Sequence, residues 1–393
     1  MDVGHDTRMV DSGLVLLVAS GLAGAVNLAS IAIAGLRIRR PAPLAAAPDA
    51  EPVSIVIPCR GIDAFSDVTL AAAFRLDYPS YELIFCVADQ RDPIIAHIER
   101  AMNAHPSVPA RIITGDCKIS DNPKLNNCVL GWRAARHEWV VLADSNVLMP
   151  PDYLQQMLAC WRADSGLVCS PPLGSHPGSF AAFVECAFLN TLQARWQYAA
   201  EAMGLGFAQG KSMLWRKSIL DGAGGIEALA AEIAEDAAAT KLIRAAGLNV
   251  HLTGAPFNQP LGMRDLRTIW SRQLRWARLR RVTFPVFFAP ELLISVLIPA
   301  AGLYAGLASI GTAPPVAAAA ALLLICMTYA AETALAAAKG WQAGMRMILA
   351  MLARDVLMPA IWLAAWTGAQ VVWHGQAIRV RPRMDDSNTA PAS

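Results

Sequence analysis

The sequence predicts an α/β protein: a doubly wound sheet domain held between membrane-embedded helices. Three observations predict it. Between residues 53 and 162, short apolar runs alternate with helical patterns at the spacing of strand–helix–strand units. Acidic residues follow two of those runs, where open α/β sheets bind their ligands. The chain is 55% hydrophobic and 16% charged over 393 residues, yet the apolar excess gathers at its two ends. That distribution suits neither a purely soluble protein nor a pure membrane bundle.

The elements follow in order. Residues 1–11 form a tail carrying Asp2, Asp6 and Asp11. Segment 12–36 has no charged residue and is long enough to cross a bilayer. Arg37, Arg39 and Arg40 follow it. A cleavable signal carries its positive charge on the other side, so an uncleaved anchor is expected, with its C-terminal end in the cytoplasm. The expected membrane is a bacterial inner membrane, with the domain that follows on its cytoplasmic side. Residues 37–52, containing PAPLAAAPDAEP, read as a linker.

The domain proper spans 53–262. Strands are predicted at 53–57, 83–88, 112–113 and 139–143, and helices at 94–104, 125–136 and 151–162. Residues 263–283 form a basic amphipathic helix, with seven arginines between Arg264 and Arg281. Leu266, Ile269, Trp270, Leu274 and Ala277 share one face, and Arg264, Arg267, Arg275 and Arg278 another. The same pattern suits a helix lying on anionic headgroups.

The region 286–373 is read as membrane-embedded, with spans near 286–310, 314–338 and within 349–373. Glu291 and the Arg354-Asp355 pair interrupt these stretches. Three C-terminal spans would leave the tail outside, whereas Arg379, Arg381 and Arg383 prefer the inside. A re-entrant or interfacial segment would remove that conflict. Residues 374–393 form the tail, and its last ten residues, MDDSNTAPAS, read as disordered.

Several function classes drop out. The eight cysteines include no C-x-x-C and no zinc-spaced histidines, so buried reduced thiols in a cytosolic domain are expected. A net charge of +2 points to no nucleic-acid partner. Gly204 to Ser212 resembles a phosphate-binding loop, but its glycine spacing is one residue too long and no strand precedes it.

The acids at the strand ends carry the candidate chemistry. Asp144 ends the run Val-Val-Leu-Ala-Asp, where a carboxylate can hold a divalent cation, Mg²⁺ or Mn²⁺, against a diphosphate. It can equally serve as a cap for the following helix. Asn146 offers an amide oxygen where a second acid would add charge. Asp89 and Asp92 follow the second strand, placed to accept hydrogen bonds from a nucleobase or ribose. Lys124 and Asn126, both expected to bind substrate, open the helix before the Asp144 strand: Lys124 can reach a phosphate, while Asn126 and Asn127 can hold the loop. Glu235 and Asp236 begin a helix. Its N-terminal field favours ionisation and desolvation opposes it. An acid projecting into a cleft there suits a general base. The pentad Arg272-Gln273-Leu274-Arg275-Trp276 joins cations for a diphosphate to an indole face for a sugar or acceptor.

Taken together, these stretches resemble the ceramide glucosyltransferase family, glycosyltransferase family 21. The matching stretches are Asp77-Tyr-Pro-Ser-Tyr-Glu82, Cys86-Val-Ala-Asp89-Gln-Arg-Asp92-Pro93, Asn122-Pro-Lys-Leu-Asn-Asn127, Asp144-Ser-Asn, Gly210-Lys-Ser-Met-Leu-Trp-Arg-Lys217, Gly224-Gly225, Ala234-Glu-Asp236 and Arg272–Trp276. The resemblance implies a GT-A-like mixed sheet with one N-terminal and about three C-terminal transmembrane or interfacial helices. It implies an inverting transfer of a hexose from a UDP-sugar to a lipid hydroxyl, with UDP-glucose and ceramide foremost.

Asp92 then takes the first-aspartate role, Asp144 the metal and diphosphate role, and Asp236 that of general base. Arg272, Arg275 and Trp276 hold the leaving diphosphate and line the acceptor site, and Gln273, Glu235 and Gln193 are also expected to bind substrate. The chain departs from the family pattern at Gln193, where a histidine is usual, and at Lys211, which replaces an apolar residue. Other acceptors (diacylglycerol, a hopanoid) and donors (UDP-glucuronate, UDP-galactose, UDP-GlcNAc) preserve the same reaction. A processive polysaccharide synthase would need more spans, and a non-catalytic scaffold would not need these acids together.

Overall fold

A computed structural model of the chain describes residues 3–39, 44–45, 47, 49–368, 370–373 and 376–379. The long helix α1 (Val3–Arg37) runs straight into the domain. There Arg37 pairs with Glu201 at 2.6 Å and the Arg39 N–H donates to the Gly254 carbonyl. Parts of the expected linker, and residues 374–375 and 380–393 of the expected tail with its disordered end, lie outside the described residues.

Strands β1 (Val53–Cys59), β2 (Tyr81–Val87), β3 (Ala110–Thr114) and β4 (Trp139–Ala143) alternate with helices α2 (Ser66–Ala73), α3 (Ile94–Ala104) and α4 (Pro123–Ala134). The four strands are parallel in the order β3-β2-β1-β4. The chain therefore winds outward from β1 and returns to its other side, opening a crevice at the strands' carboxyl ends. Successive residues feed opposite faces. Val56 and Ile84 pack under α4 with Cys128 and Trp132, while Ile55, Leu83 and Phe85 pack under α2 and α3. Burial on both faces explains why these strands read as continuous apolar runs. Gly131 lets α4 lie close on the sheet, since a Cβ there would come within 2.4 Å of the Cys86 sulfur.

The expected helix at 151–162 is shorter, α5 (Tyr153–Leu158). Beyond it Cys160 and Trp161 turn back through N–H bonds to Met157 and Leu158. Next come β5 (Ser165–Ser170) and β6 (Pro172–Pro177), then one continuous helix. It comprises α6 (Phe180–Cys186), a π-helical stretch Ala187–Ala194 and α7 (Arg195–Ala202). Strand β7 (Ser212–Arg216) inserts antiparallel between β4 and β5. Helices α8 (Lys217–Gly222) and α9 (Glu235–Ala245) lead to β8 (Asn249–Leu252), which completes the mixed sheet β3-β2-β1-β4-β7-β5-β8. Strand β9 (Phe257–Gly262) pairs with β6 in a small parallel sheet.

Helix α10 (Leu266–Thr283) begins at Asp265, whose carboxylate accepts the Thr268 N–H at 2.6 Å. Its buried stripe is Ile269, Gln273 and Ala277. Leu266, expected on that face, is 58% exposed. The face expected to carry Arg264, Arg267, Arg275 and Arg278 also divides: Arg264 and Arg275 line the crevice, together with Arg272 and Arg280, while Arg267 and Arg278 do not. After α10 come α11 (Pro285–Phe288), a 3₁₀ turn Ala289–Ile294, α12 (Leu297–Ser309), α13 (Pro314–Lys339) and α14 (Met345–Trp366). A hairpin, β10 (Gln370–Trp373) with β11 (Gln376–Arg379), follows, and the last apolar helix, expected within 349–373, runs Met345–Trp366.

Three described helices are long and apolar enough to cross a membrane: Ser12–Arg37, Pro314–Lys339 and Met345–Trp366. The segments Pro285–Ile294 and Leu297–Ser309 meet at a 68° bend. Helix α12 runs against α1, with Ser309 and Gly306 beside Gly13. Helix α13 returns so that Lys339 donates to the Ile38 carbonyl at the other end of α1. Helix α14 packs along α10 and α6. Near its end, Arg281 of α10 donates to Gly368 and lies over Trp366.

Arg354 and Asp355 do not break α14. Arg354 lies 3.0 Å from both Asp355 and Glu332, Arg195 pairs with the same Glu332 at 3.0 Å, and the Tyr329 hydroxyl donates to Asp355. Two cations balance two anions, which is how charge survives out of water. Glu291 is likewise paired, with Arg280 at 2.7 Å.

Candidate active site

The site assembles at the carboxyl ends of β1, β2 and β4. Antiparallel pairing of β4 with β7 sets Ala143 opposite Ser212, and the Asp144 N–H donates to the Lys211 carbonyl. That register brings Lys211 to Asp144 from a distant part of the sequence. One Asp144 oxygen lies 2.6 Å from Lys124 Nζ and the other 2.6 Å from Lys211 Nζ. Burial works against the Asp144 charge, but the two ammonium groups outweigh it and lower its pKa to about 2. Lys211 also donates to Asn146 Oδ1 at 3.3 Å.

Lys124 ties this pair to the α9 acids. It lies 2.7 Å from Glu235 and donates to the Gly210 carbonyl. Burial opposes its charge too, yet Asp144 and Glu235 raise its pKa. Glu235 is fixed from behind by Asn122, which donates to it at 2.6 Å while capping α4. Asp236 accepts the Gly210 N–H at 3.1 Å and the Ala237 N–H at 2.8 Å. Burial, helped by Glu235, wins over those donors and over Lys124, pushing Asp236 up to about 6. The two effects weighed at the helix start are thus decided for desolvation. Gly210 leaves room for this pairing, since a Cβ would fall 2.5 Å from Glu235 Oε1 and 3.0 Å from Lys124 Nζ and push the two apart from their present positions.

Asp89 and Asp92 line the outer end of the crevice. Asp92 is committed to the backbone: its carboxylate accepts Gly61 N–H at 2.9 Å and Ile94 N–H at 3.0 Å, fixing the loop after β1. Asp89 is exposed and accepts the Arg91 N–H. Asn126 turns away from the crevice, and this corrects its expected contact with substrate. Its amide binds Ile119 N–H, Ser120 N–H and the Ser120 carbonyl, so it shapes the preceding loop. Asn127 lines the crevice instead and donates to Cys86 O at 2.7 Å.

Opposite the acids, α10 presents Arg272, Arg275 and Trp276. Burial lowers the pKa of Arg272, and lowers that of Arg275 to about 10, which leaves both protonated at neutral pH. Arg272 lies over the Trp276 ring at 5.2 Å and pairs with Glu185 at 3.1 Å. Glu185 is fully buried in α6, also 3.6 Å from Arg264, and sequence reasoning missed it. An acid within Phe-Ala-Ala-Phe-Val-Glu-Cys was the available signal. Gln193, in the π-helical stretch, donates to Gln273 at 3.2 Å, and both line the crevice. The wider π turn is a frequent feature of functional helices.

These groups bound one crevice of about 1040 Å³. It runs from Asp89 past Asp144 and Asp236 to Phe284, Phe288, Ile294, Met358, Ile361 and Trp362. Five of the eight cysteines are buried and none is in a disulfide.

The mixed sheet with acids at its crevice defines a protein of the GT-A glycosyltransferase fold. A solved mannosyltransferase of Pyrobaculum calidifontis, in complex with GDP-Man and Mn²⁺, shares that fold. Its TM-score is 0.50 at 18% identity, over 91% of this chain and 98% of that one. The model of glycosyl transferase family 21 matches residues 16–385, and the chain belongs to that family. Ceramide glucosyltransferase 1 of Caenorhabditis elegans is 28% identical over 241 residues, 61% of this chain and 52% of the relative. A ceramide glucosyltransferase of Komagataella phaffii is 39% identical over 104 residues, 25% of this chain and 20% of that one. The chain thus spans about half the length of the nematode relatives it matches.

Proposed function

We propose that this chain is a membrane-bound inverting hexosyltransferase that moves a sugar from a UDP-sugar to a lipid hydroxyl, with UDP-glucose and ceramide as leading substrates. One observation carries the reading. The crevice that holds the acids and cations continues without interruption to apolar side chains of α11 and α14. A polar donor and an amphiphilic acceptor can therefore meet in one space.

In this reading the UDP moiety enters beside Asp89 and the loop pinned by Asp92. Lys124, Lys211, Arg272 and Arg275 surround the diphosphate. Asp236 takes the proton of the lipid hydroxyl, and its pKa of about 6 leaves it ionised at neutral pH. The hydroxyl oxygen bonds to C1 of the sugar from the face opposite the diphosphate. The C1–oxygen bond breaks, and its electron pair departs on the diphosphate, where the cations stabilise it. Trp276 and the Gln193–Gln273 pair border the sugar and acceptor headgroup.

Among the described residues no three His, Cys, Asp or Glu side chains converge on a metal position. Asp144 and Asn146 supply one carboxylate and one amide oxygen, a set that fits Mg²⁺ or Mn²⁺ when diphosphate oxygens and waters complete the shell. Such an ion would add Lewis-acid stabilisation of the leaving diphosphate.

The positions of the helix ends support one course through the membrane. With the Arg37 end of α1 cytoplasmic, the bent pair ending at Ser309 crosses outward and α13 returns. Helix α14 then lies along the cytoplasmic interface against α10 and α6. The chain then leaves α14 on the cytoplasmic side, in keeping with the arginines that follow in the sequence.

The test is to incubate membranes containing the chain with a panel of radiolabelled UDP-sugars and identify the labelled lipid by mass spectrometry. Glucosylceramide is the expected product. Labelled diacylglycerol or hopanoid would reassign the acceptor, and no labelled lipid from any donor would refute the reading.

A further inference from the structure

The two lysines on Asp144 are not equivalent. Lys124 is held by two carboxylates, Asp144 at 2.6 Å and Glu235 at 2.7 Å, and by the Gly210 carbonyl. Lys211 has Asp144, at 2.6 Å, as its one carboxylate partner among the described residues, plus the Asn146 amide at 3.3 Å. The oxygens that Lys211 occupies, one from Asp144 and one from Asn146, are the same pair that would face a divalent ion. Two like charges cannot share that position, so an ion reaching Asp144 has to displace an ammonium. Lys211 is the one with less to hold it. It lines the crevice, so a flexible four-carbon stem can carry the ammonium to a nearby anion.

We propose that Lys211 is a displaceable internal cation that couples metal binding at Asp144 to the arrival of the donor's diphosphate. Without a nucleoside diphosphate, the ammonium neutralises Asp144 and opposes a free divalent ion. When the diphosphate enters, Lys211 moves to a phosphate oxygen and vacates the Asp144–Asn146 edge. Metal and nucleotide then reinforce one another, and by linkage each raises the other's affinity by the same factor. The chain does not expose a metal-loaded site to water between turnovers. This inference rests on reading Asp144 as the cation-binding acid.

The experiment titrates Mn²⁺ into the full-length protein in nanodiscs, with and without UDP, and follows free Mn²⁺ by electron paramagnetic resonance. Lys211→Met is expected to bind Mn²⁺ alone on the order of tenfold more tightly than wild type. It should also lose most of the gain that UDP confers. Lys211→Gln, which keeps a polar neighbour for Asp144 without the charge, should shift the same way. Asp144→Asn should abolish the bound Mn²⁺. If Asp144→Asn abolishes binding while both Lys211 variants bind Mn²⁺ no more tightly than wild type, the coupling role is overturned and the cation site stands. If Asp144→Asn binds Mn²⁺ normally, the site reading and the coupling fall together.

Discussion

At the scale of residues, the site is a set of acids whose charges are decided by their neighbours. Asp144 is held near 2 by two ammonium groups, and Asp236 is lifted to about 6 by burial beside Glu235. Neighbouring acids pushed apart in this way take different roles: a permanent anion and a group that accepts a proton near neutrality. Transfer should therefore require the Asp236 carboxylate, falling roughly tenfold per pH unit below about 6 and levelling above it. Asp236→Asn should lower kcat by about 10²–10⁴-fold and leave UDP binding intact, and its residual rate should lack that acid limb. A pH–rate profile of both proteins reads this; a wild-type limb that persists in the variant would assign the proton to another group. Asp144, Asp236, Asp89 and Lys124 were legible in the sequence because each follows a strand or opens a helix. Glu185 was not, because its partners Arg264 and Arg272 lie on a helix far along the chain. Asn126 was legible as a loop holder, but nothing local said that this use would consume its whole amide.

At the scale of elements, β1, β2 and β4 were readable because burial on both faces makes them uninterrupted apolar runs. Strands β6 and β9, with Pro172, Pro177, Gly174, Pro260 and Gly262, carry no such pattern. Their pairing is set by the surrounding fold. The antiparallel β7 matters most among the missed elements, since its register delivers Lys211 to Asp144. In α10 the helical period predicted a helix, while the division of its arginines depended on tertiary packing. Two substitutions on that helix should separate its functions. Ile269 is fully buried, so Ile269→Ala should cost about 2–5 kcal/mol of stability. Trp276, at the crevice, should tolerate Ala in thermal unfolding yet lose transfer activity. Normal kinetics for Trp276→Ala would reduce the helix to a membrane-docking element.

At the scale of the whole molecule, catalytic domain and membrane helices are interlocked. Arg195 of the domain shares Glu332 of α13 with Arg354 of α14, and Arg37 of α1 pairs with Glu201. The interlock explains how a site at the sheet edge stays in register with an apolar cavity end. The sequence poses the α14 region as a conflict between span count and tail charge that an interfacial segment would remove, and α14 packs along α10 and α6. With a membrane-impermeant thiol reagent on intact cells, Ala313→Cys in the α12–α13 turn should label. Ala343→Cys and Thr367→Cys, flanking α14, should label only after permeabilisation. Labelling of Thr367→Cys alongside Ala313→Cys would mean that α14 crosses the bilayer.

The central claim is that sugar donor and lipid acceptor occupy two ends of the same crevice. A cryo-electron microscopy map of the Asp236→Asn protein, with UDP and its acceptor lipid, measures this directly. The predicted result is diphosphate density among Lys124, Lys211 and Arg272, with acyl density against Phe288 and Trp362. Nucleotide and lipid bound in separate cavities, or a diphosphate remote from Asp144, would contradict it.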